Sequence, residues 1–308
     1  MKQWKKLLPA LLSLALLVSC GPKRPGTDTS VGDVSAPGTA APFVFTRDSL
    51  PRLDGSTSTA PMAQAMCAVL LGEGREQVAD LVQFSRTTQS YRNLMAGAAD
   101  LLLAAEPAPE VAQELKQEGE WLLTPFATDA LVFVVNEDNP VDSLTTEQVR
   151  KIYTGQITNW NQVGGKNQPI RPFQRLENSG SQSALLRLMD GLPLIEPEKE
   201  DRVGGMGGII QQVASYRNYK NSIGFSFRFY ASEMAANDQI RLLALDGVFP
   251  TKESIRDGSY PISDSFFAIT AAPIGAPDPR ESNPKLNAFL DWILSEQGQQ
   301  IVEDSGYV

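Results

Sequence analysis

The chain has 308 residues, with 27 lysines and arginines against 36 aspartates and glutamates, and a formal charge of −9. That acidity argues against general nucleic-acid binding, which needs a positive surface to displace counterions, while leaving room for a pocket whose local potential opposes the net charge. Histidine is absent, which removes the usual base of a serine-nucleophile triad and the usual nitrogen ligands of a zinc site.

Residues 1–20, MKQWKKLLPALLSLALLVSC, open on Lys2, Lys5 and Lys6, run through an apolar stretch from Leu7 to Val18 broken by Pro9 and Ser13, and end at Cys20. This is the pattern of a secretory signal, with an apolar run shorter than the roughly 20 residues of a membrane span. Losing the signal's three lysines makes the charge of the mature chain about −12. The LVSC ending resembles the lipobox of bacterial lipoproteins, in which cleavage before the cysteine leaves it diacylated. The alternative is that Cys20 is only the first residue of a freely secreted protein. Residues 21–42 are dominated by Gly, Pro, Ser and Thr with no apolar periodicity, so they read as a flexible tether. Two acyl chains on Cys20 would hold the protein at a membrane where one would anchor it only marginally, giving an extracytoplasmic, lipid-anchored location. Cys67 is then left without a partner, so the fold must be held by its core rather than by disulfides. About 265 residues after the tether suffice for that core, and this is the size at which chains begin to divide.

The folded region begins with an extended segment ending at Asp54 and the turn Gly55-Ser56-Thr57-Ser58-Thr59. Met62, Met66, Val69 and Leu70 then mark one face of a helix, with Ser58 or Thr59 as its N-cap and Pro61 in the first turn. The same grammar repeats. VADLVQFS (78–85) reads as a strand, RTTQSYRNLMAG as a turn and helix, AADLLLAAEPAP as a strand entering a loop, and EVAQELKQEGE as a helix. WLLTPFATDALVFVVNEDNP supplies long strand material before a turn.

After Pro140, Thr145 and Gln148 fit a capping box ahead of a helix that stops at Gly155. QPIRPFQR is extended, SQSALLRLMDG is a helix facing inward through Leu185, Leu188 and Met189, GGMGGIIQQVASYRN is a glycine turn into a helix, and NSIGFSFRFYAS is a strand. IRLLALDGV, SYPISDSFFAIT and one closing helix from Pro284 to Gly306 complete the chain. Trp160 and Trp292 read as packing residues. The alternation predicts an α/β fold, with a second domain at 129–245 inserted between 43–128 and 246–308. Two crossovers between domains would form a hinge over an interdomain cleft, a device for closing on a ligand.

One short stretch, RPFQRLENSGSQSALLRLMDG, places Arg175 just ahead of Ser179-Gly180-Ser181 and a helix. A helix start offers unpaired N–H groups and the positive end of its dipole. Hydroxyls add donors, glycine leaves room for an oxygen, and the arginine presents a rigid fork of charged donors. Taken alone, Ser-Gly-Ser is an ordinary cap. The arginine beside it and the second hydroxyl-rich helix start at Ser56, Thr57 and Ser58 favour an anion site.

DGSTSTAP, DALVFVVNEDNPVDSLTTEQVRKIYTGQITNWNQVGG, IRPFQRLENSGSQSA and SIGFSF are together similar to the phosphate-binding proteins of bacterial phosphate ABC transporters, from about residue 48 to the end. The resemblance implies a two-domain periplasmic-binding-protein fold that clamps one inorganic phosphate without turnover, needs no cofactor or metal, and hands its ligand to an ABC permease and ATPase complex. It carries the family's arginine and Ser-Gly-Thr/Ser turn onto Arg175, Ser179, Gly180 and Ser181, its first-domain turn onto Ser56, Thr57 and Ser58, and a further serine onto Thr87 or Thr88. The family's aspartate, acceptor of the ligand's proton, is replaced here by Glu106 in LLLAAEPAP. A carboxylate can bind a protonated phosphate and repel sulfate, which has no proton at neutral pH. Glu106 either fills that role or is a solvated loop residue. Asp100 is its rival, and Arg86 a possible second positive charge.

A serine hydrolase built on Ser56, Ser58 or Ser179 would lack its histidine, and neither a G-x-S-x-G elbow nor a Ser-x-x-Lys pair occurs at these turns. The remaining alternative keeps the fold and changes the role, to a sensor or surface-interaction lipoprotein that binds another oxyanion or a phosphorylated small molecule.

Overall fold

The structure is a computed structural model that describes residues 45–214 and 220–308. The signal at 1–20, the tether at 21–42 and Cys20 lie outside the described residues. The chain runs through β1 (Leu53–Gly55), α1 (Ala60–Leu71), α2 (Thr87–Met95), β2 (Leu101–Ala105), α3 (Pro109–Leu115) and the long β3 (Gly119–Asn136). Then come β4 (Ser143–Leu144), α4 (Thr146–Tyr153), β5 (Arg171–Pro172), β6 (Gln174–Arg175), α5 (Gly180–Met189), β7 (Arg202–Val203), α6 (Met206–Ala214), β8 (Ser222–Phe227), β9 (Ile240–Leu242) and β10 (Ala244–Leu245). It closes with α7 (Lys252–Arg256), β11 (Ser263–Pro273), α8 (Pro279–Ser282), α9 (Pro284–Ile293) and α10 (Glu296–Asp304).

These elements form an α/β fold with two lobes, and β3 belongs to both. Its first half pairs antiparallel with β11, from Gly119 opposite Pro273 to Ala130 opposite Ser263. β11 pairs in turn with β2, and β2 lies parallel to β1. From Leu131 onward β3 changes partners, pairing antiparallel with β8 and β9, while β5 adds to β8 in parallel. The sequence explains the change. Ala130 to Val135 is an unbroken apolar run and is wholly buried, as befits a strand covered on both faces, whereas Trp121 to Thr124 is only partly covered.

The helix expected after the first turn is α1, but its inward face is Met62, Ala63, Met66 and Cys67, all fully buried, while Val69 is 44% exposed. The stripe is rotated towards Ala63 and Cys67, which join Met62 and Met66 in the core. Burial pushes the Cys67 thiol up to about 12, so it behaves as a core residue. The capping box of Thr145 and Gln148 forms as expected. Trp160 is buried and donates its Nε1–H to the Asn221 carbonyl at 2.7 Å, and Trp292 packs tilted against Phe289.

Three local expectations fail. Residues 78–85 form a single 3-10 turn at Ala79–Leu81 rather than a strand. Val78 is buried and Leu81, Val82 and Phe84 plug gaps in the core, while Asp54 takes the N–H and hydroxyl of Ser85, so the segment packs by side chains with no ladder to join. Neither proposed cap of α1 works as one. Thr59 donates its hydroxyl to the Ser56 and Leu103 carbonyls instead, and the Ser58 hydroxyl has no protein partner. The closing helix is broken into α9 and α10 at Ser295, whose Oγ accepts from the Gly298 N–H. A side chain at position 298 would lie 2.3 Å from the Trp292 carbonyl, so only glycine lets α10 start against the end of α9.

Candidate functional site

Three helix starts carry the hydroxyls. β1 leads into α1 through Ser56, whose N–H donates to the Leu103 carbonyl on β2. The Asp54 carboxylate accepts from Gly55 N–H at 2.7 Å, Ser85 N–H at 2.7 Å, Ser85 Oγ–H at 2.6 Å and Asn93 Nδ2–H at 2.8 Å. One buried acid thus holds the entry to α1 and the entry to α2 in register.

Across that join the Ser56 and Thr87 hydroxyls are hydrogen-bonded at 2.7 Å. The residue before α2, Arg86, has φ 78° and ψ 160°, a region essentially reserved for glycine that costs a side-chain-bearing residue about 1–3 kcal/mol. Its guanidinium donates from Nη1 to Asn178 Oδ1 at 3.3 Å, a residue of the stretch that leads into α5.

In the second lobe Arg175 is 6% exposed. Its N–H donates to Gln182 Oε1 at 2.8 Å and its Nε–H to the Val203 carbonyl at 3.2 Å, while Nη1 has no protein partner. Burial pushes this guanidinium down to about 10, the charge of Arg86 acts the same way, and Tyr230 opposes both. The group is still charged at neutral pH. Ser179 and Ser181 lie with their hydroxyl oxygens 3.2 Å apart at the start of α5. Between them Gly180 meets the first lobe: a Cβ there would lie 2.7 Å from Thr87 Oγ1 and 3.6 Å from Ser56 Oγ.

Ser56, Thr87 and Gly180 are therefore in one seam, with Ser179 and Ser181 beside it. Ser58 and Thr88 are buried, and the oxygen of each hydroxyl lacks a protein partner. Thr57 is exposed. Glu106 is exposed as well, and the contact it makes with α5 is through its backbone, whose carbonyl accepts from Arg187 Nη1 at 2.6 Å. Asp100 is engaged elsewhere, paired with Arg52 at 2.6 Å. Arg187 also donates to the Pro107 carbonyl and to Asp264 Oδ2. Burial raises Asp264 to about 6 against the pull of Arg187, with Glu106 adding to the rise. Asp54, Asn178, Gln182 and Arg187 were not marked by sequence reasoning. An acid just before a glycine-serine turn was a usable signal for Asp54, but the others act on residues or carbonyls that only the fold brings near.

The two-lobed α/β fold is that of a periplasmic-type binding protein. The chain belongs to the periplasmic-binding-protein superfamily: the model of the PBP superfamily domain matches residues 46–297. It is similar to the phosphate-binding protein PstS of Borreliella burgdorferi, 28% identical over 60% of this chain and 64% of that one, and to its counterpart in Bacillus subtilis, 29% identical over 59% and 55%. The matched stretch thus spans less than two thirds of either relative. A putative phosphate ABC transporter substrate-binding protein from Clostridium perfringens, with bound phosphate, superposes with a TM-score of 0.63 at 26% identity, covering 83% of this chain and 97% of that structure.

Proposed function

We propose that this chain is the extracytoplasmic receptor of a phosphate ABC transporter, which closes on inorganic phosphate between its lobes and passes it to a permease and ATPase complex. The observation that carries this reading is that three of the six buried side-chain polar atoms without protein partners among the described residues, Ser58 Oγ, Thr88 Oγ1 and Arg175 Nη1, come from both lobes, two at hydroxyl-rich helix starts and one on β6 just ahead of a third. Leaving a buried polar group unpaired costs about 1–3 kcal/mol, more for a charge. A tetrahedral oxyanion brings several acceptor oxygens and the compensating charge. The bound phosphate of the Clostridium perfringens structure and the names of the curated relatives support phosphate as that anion.

On this reading Ser56, Thr57, Ser58, Thr87 and Thr88 act from the division 43–128 and 246–308, and Arg175, Ser179, Gly180 and Ser181 from 129–245. Calorimetry of the purified chain with phosphate should show one site and a melting temperature that rises with ligand. Neither heat nor a shift at millimolar phosphate would sink the reading. Cys20 is the proposed lipid anchor. Cys20→Ser should abolish palmitate labelling and signal cleavage, and normal labelling of that variant would remove the anchor from the scheme.

The exposed carboxylate of Glu106 favours a second reading, in which the same fold serves a sensor or surface lipoprotein for another oxyanion or a phosphorylated small molecule. Genes for two permease subunits and an ATPase beside this one would favour transport.

A further inference from the structure

Two guanidiniums approach the seam from opposite lobes, and neither is balanced by an acid. Among the described residues no carboxylate forms an ion pair with Arg86 or Arg175. Arg175 spends Nε on a backbone carbonyl and leaves Nη1 unpaired, and Arg86 holds a single long bond to a neutral amide on the other lobe. The acids on the elements packed around α2 are engaged elsewhere or exposed. Asp54 on β1 is filled by Ser85 and Asn93, and Asp264 on β11 pairs with Arg187 of α5. Glu114 of α3 pairs with Arg92. Asp129 on β3 accepts from the N–H groups of Ala130 and Phe229. Glu177, between Arg175 and Asn178, is exposed, as is Glu106. Tyr230 and Tyr91 complete the titratable neighbours, and burial pushes the Tyr91 phenol well above its ordinary value.

Arg86 is also held at a price in backbone conformation, since φ 78° with ψ 160° is glycine's territory. An arginine kept there, at the start of a helix whose next two residues are the buried Thr87 and Thr88, sits where it can turn from Asn178 to an oxygen held by those hydroxyls. Two unneutralised guanidiniums and helix dipoles favour whichever form of the ligand carries more negative charge.

We propose, building on the phosphate-receptor reading, that Arg86 is a second anion-binding guanidinium, contributed by the first lobe, and that with Arg175 it makes the cleft select by charge, taking phosphate as its dianion and admitting sulfate. No carboxylate takes up the ligand's proton on this scheme, so the proton is not read.

Calorimetry of the purified wild type and of Arg86→Gly, with inorganic phosphate and with sulfate, below and above the second ionisation of phosphate, tests it. The ratio of phosphate to sulfate affinity is the readout. Sulfate does not titrate in this range, so any loosening of the Arg187–Asp264 pair as Asp264 protonates near 6 moves both anions and cancels. The wild type should bind both anions, with the ratio rising as phosphate becomes dianionic. Arg86→Gly should weaken both by roughly tenfold or more, without lowering the melting temperature of the ligand-free chain, because glycine relieves the backbone. Arg86→Lys should recover part of the affinity. If the wild type binds phosphate but excludes sulfate, or if Arg86→Gly binds phosphate as the wild type does, this inference falls and the phosphate receptor stands. If the wild type binds neither anion, both fall.

Discussion

Within the seam, Gly180 sets a limit on a single residue. A methyl group there would stand 2.7 Å from Thr87 Oγ1, inside any real contact, while its other near neighbours, Phe227 of its own lobe and Ser56 of the other, would be at an ordinary 3.6 Å. Within its own helix alanine is the better residue by up to about 1 kcal/mol. Gly180→Ala should therefore push the lobes apart at this seam, with the helix gain offsetting much of the cost to the ligand-free chain, and weaken phosphate binding by about tenfold or more. Unchanged affinity by calorimetry would mean that the lobes do not meet here when ligand is bound. Arg175 makes the complementary case. Its loss should weaken phosphate and sulfate alike by about 2–5 kcal/mol if it is a buried, hydrogen-bonded partner of the anion, and an effect on only one anion would count against that role. That both residues stand beside a hydroxyl-rich helix start was legible because a hydroxyl-glycine turn after an arginine has a physical signature in sequence. Glu106 was placed by its position after a strand, which fixes the backbone but not where a carboxylate points.

Among the elements, β3 matters most because it changes partners between lobes. Asp129 sits at that change, opposite Asp264 on β11, and is 2% exposed. Burial raises it to about 7, against the pull of the Ala130 and Phe229 N–H groups and of Arg228. Its ordinary value is 3.8, so between about 4 and 7 the folded chain holds a proton that the unfolded chain has lost. This contribution to stability is present at the acid end of the window and is lost as pH rises through 7. Asp264, raised to about 6, acts in the same sense. Thermal melts should show the midpoint rising from pH 8 to pH 5, and Asp129→Asn, which keeps an acceptor for both N–H groups, should flatten that rise. An equally steep rise in the variant would exclude Asp129 as its source. Sequence pattern found β3 and most of the helices because long apolar runs and capping residues are local signals. It failed at residues 78–85, where apolar residues plug the core without a neighbouring strand, and at Ser295, where one glycine-permitted contact splits a continuous helical pattern.

For the whole molecule the question is what holds the lobes together before and after ligand arrives. Arg187 of α5 reaches across to the carbonyls of Glu106 and Pro107 and to the carboxylate of Asp264. These are charge-assisted bonds between lobes, and they form without any ligand atom. They should bias the ligand-free chain towards closure, so that the anion spends less of its binding free energy on bringing the lobes together. Arg187→Ala removes the clasp and leaves Asp264 to protonate in its buried setting. The variant should therefore have a larger radius of gyration than the wild type without ligand, by small-angle scattering, and collapse to the wild-type value at saturating phosphate. Its affinity should fall while its selectivity between phosphate and sulfate stays the same, because Arg187 has no place among the hydroxyls and guanidiniums of the seam. Equal radii for both chains without phosphate would show that the clasp does not govern closure. A change in selectivity would instead place Arg187 against the anion itself.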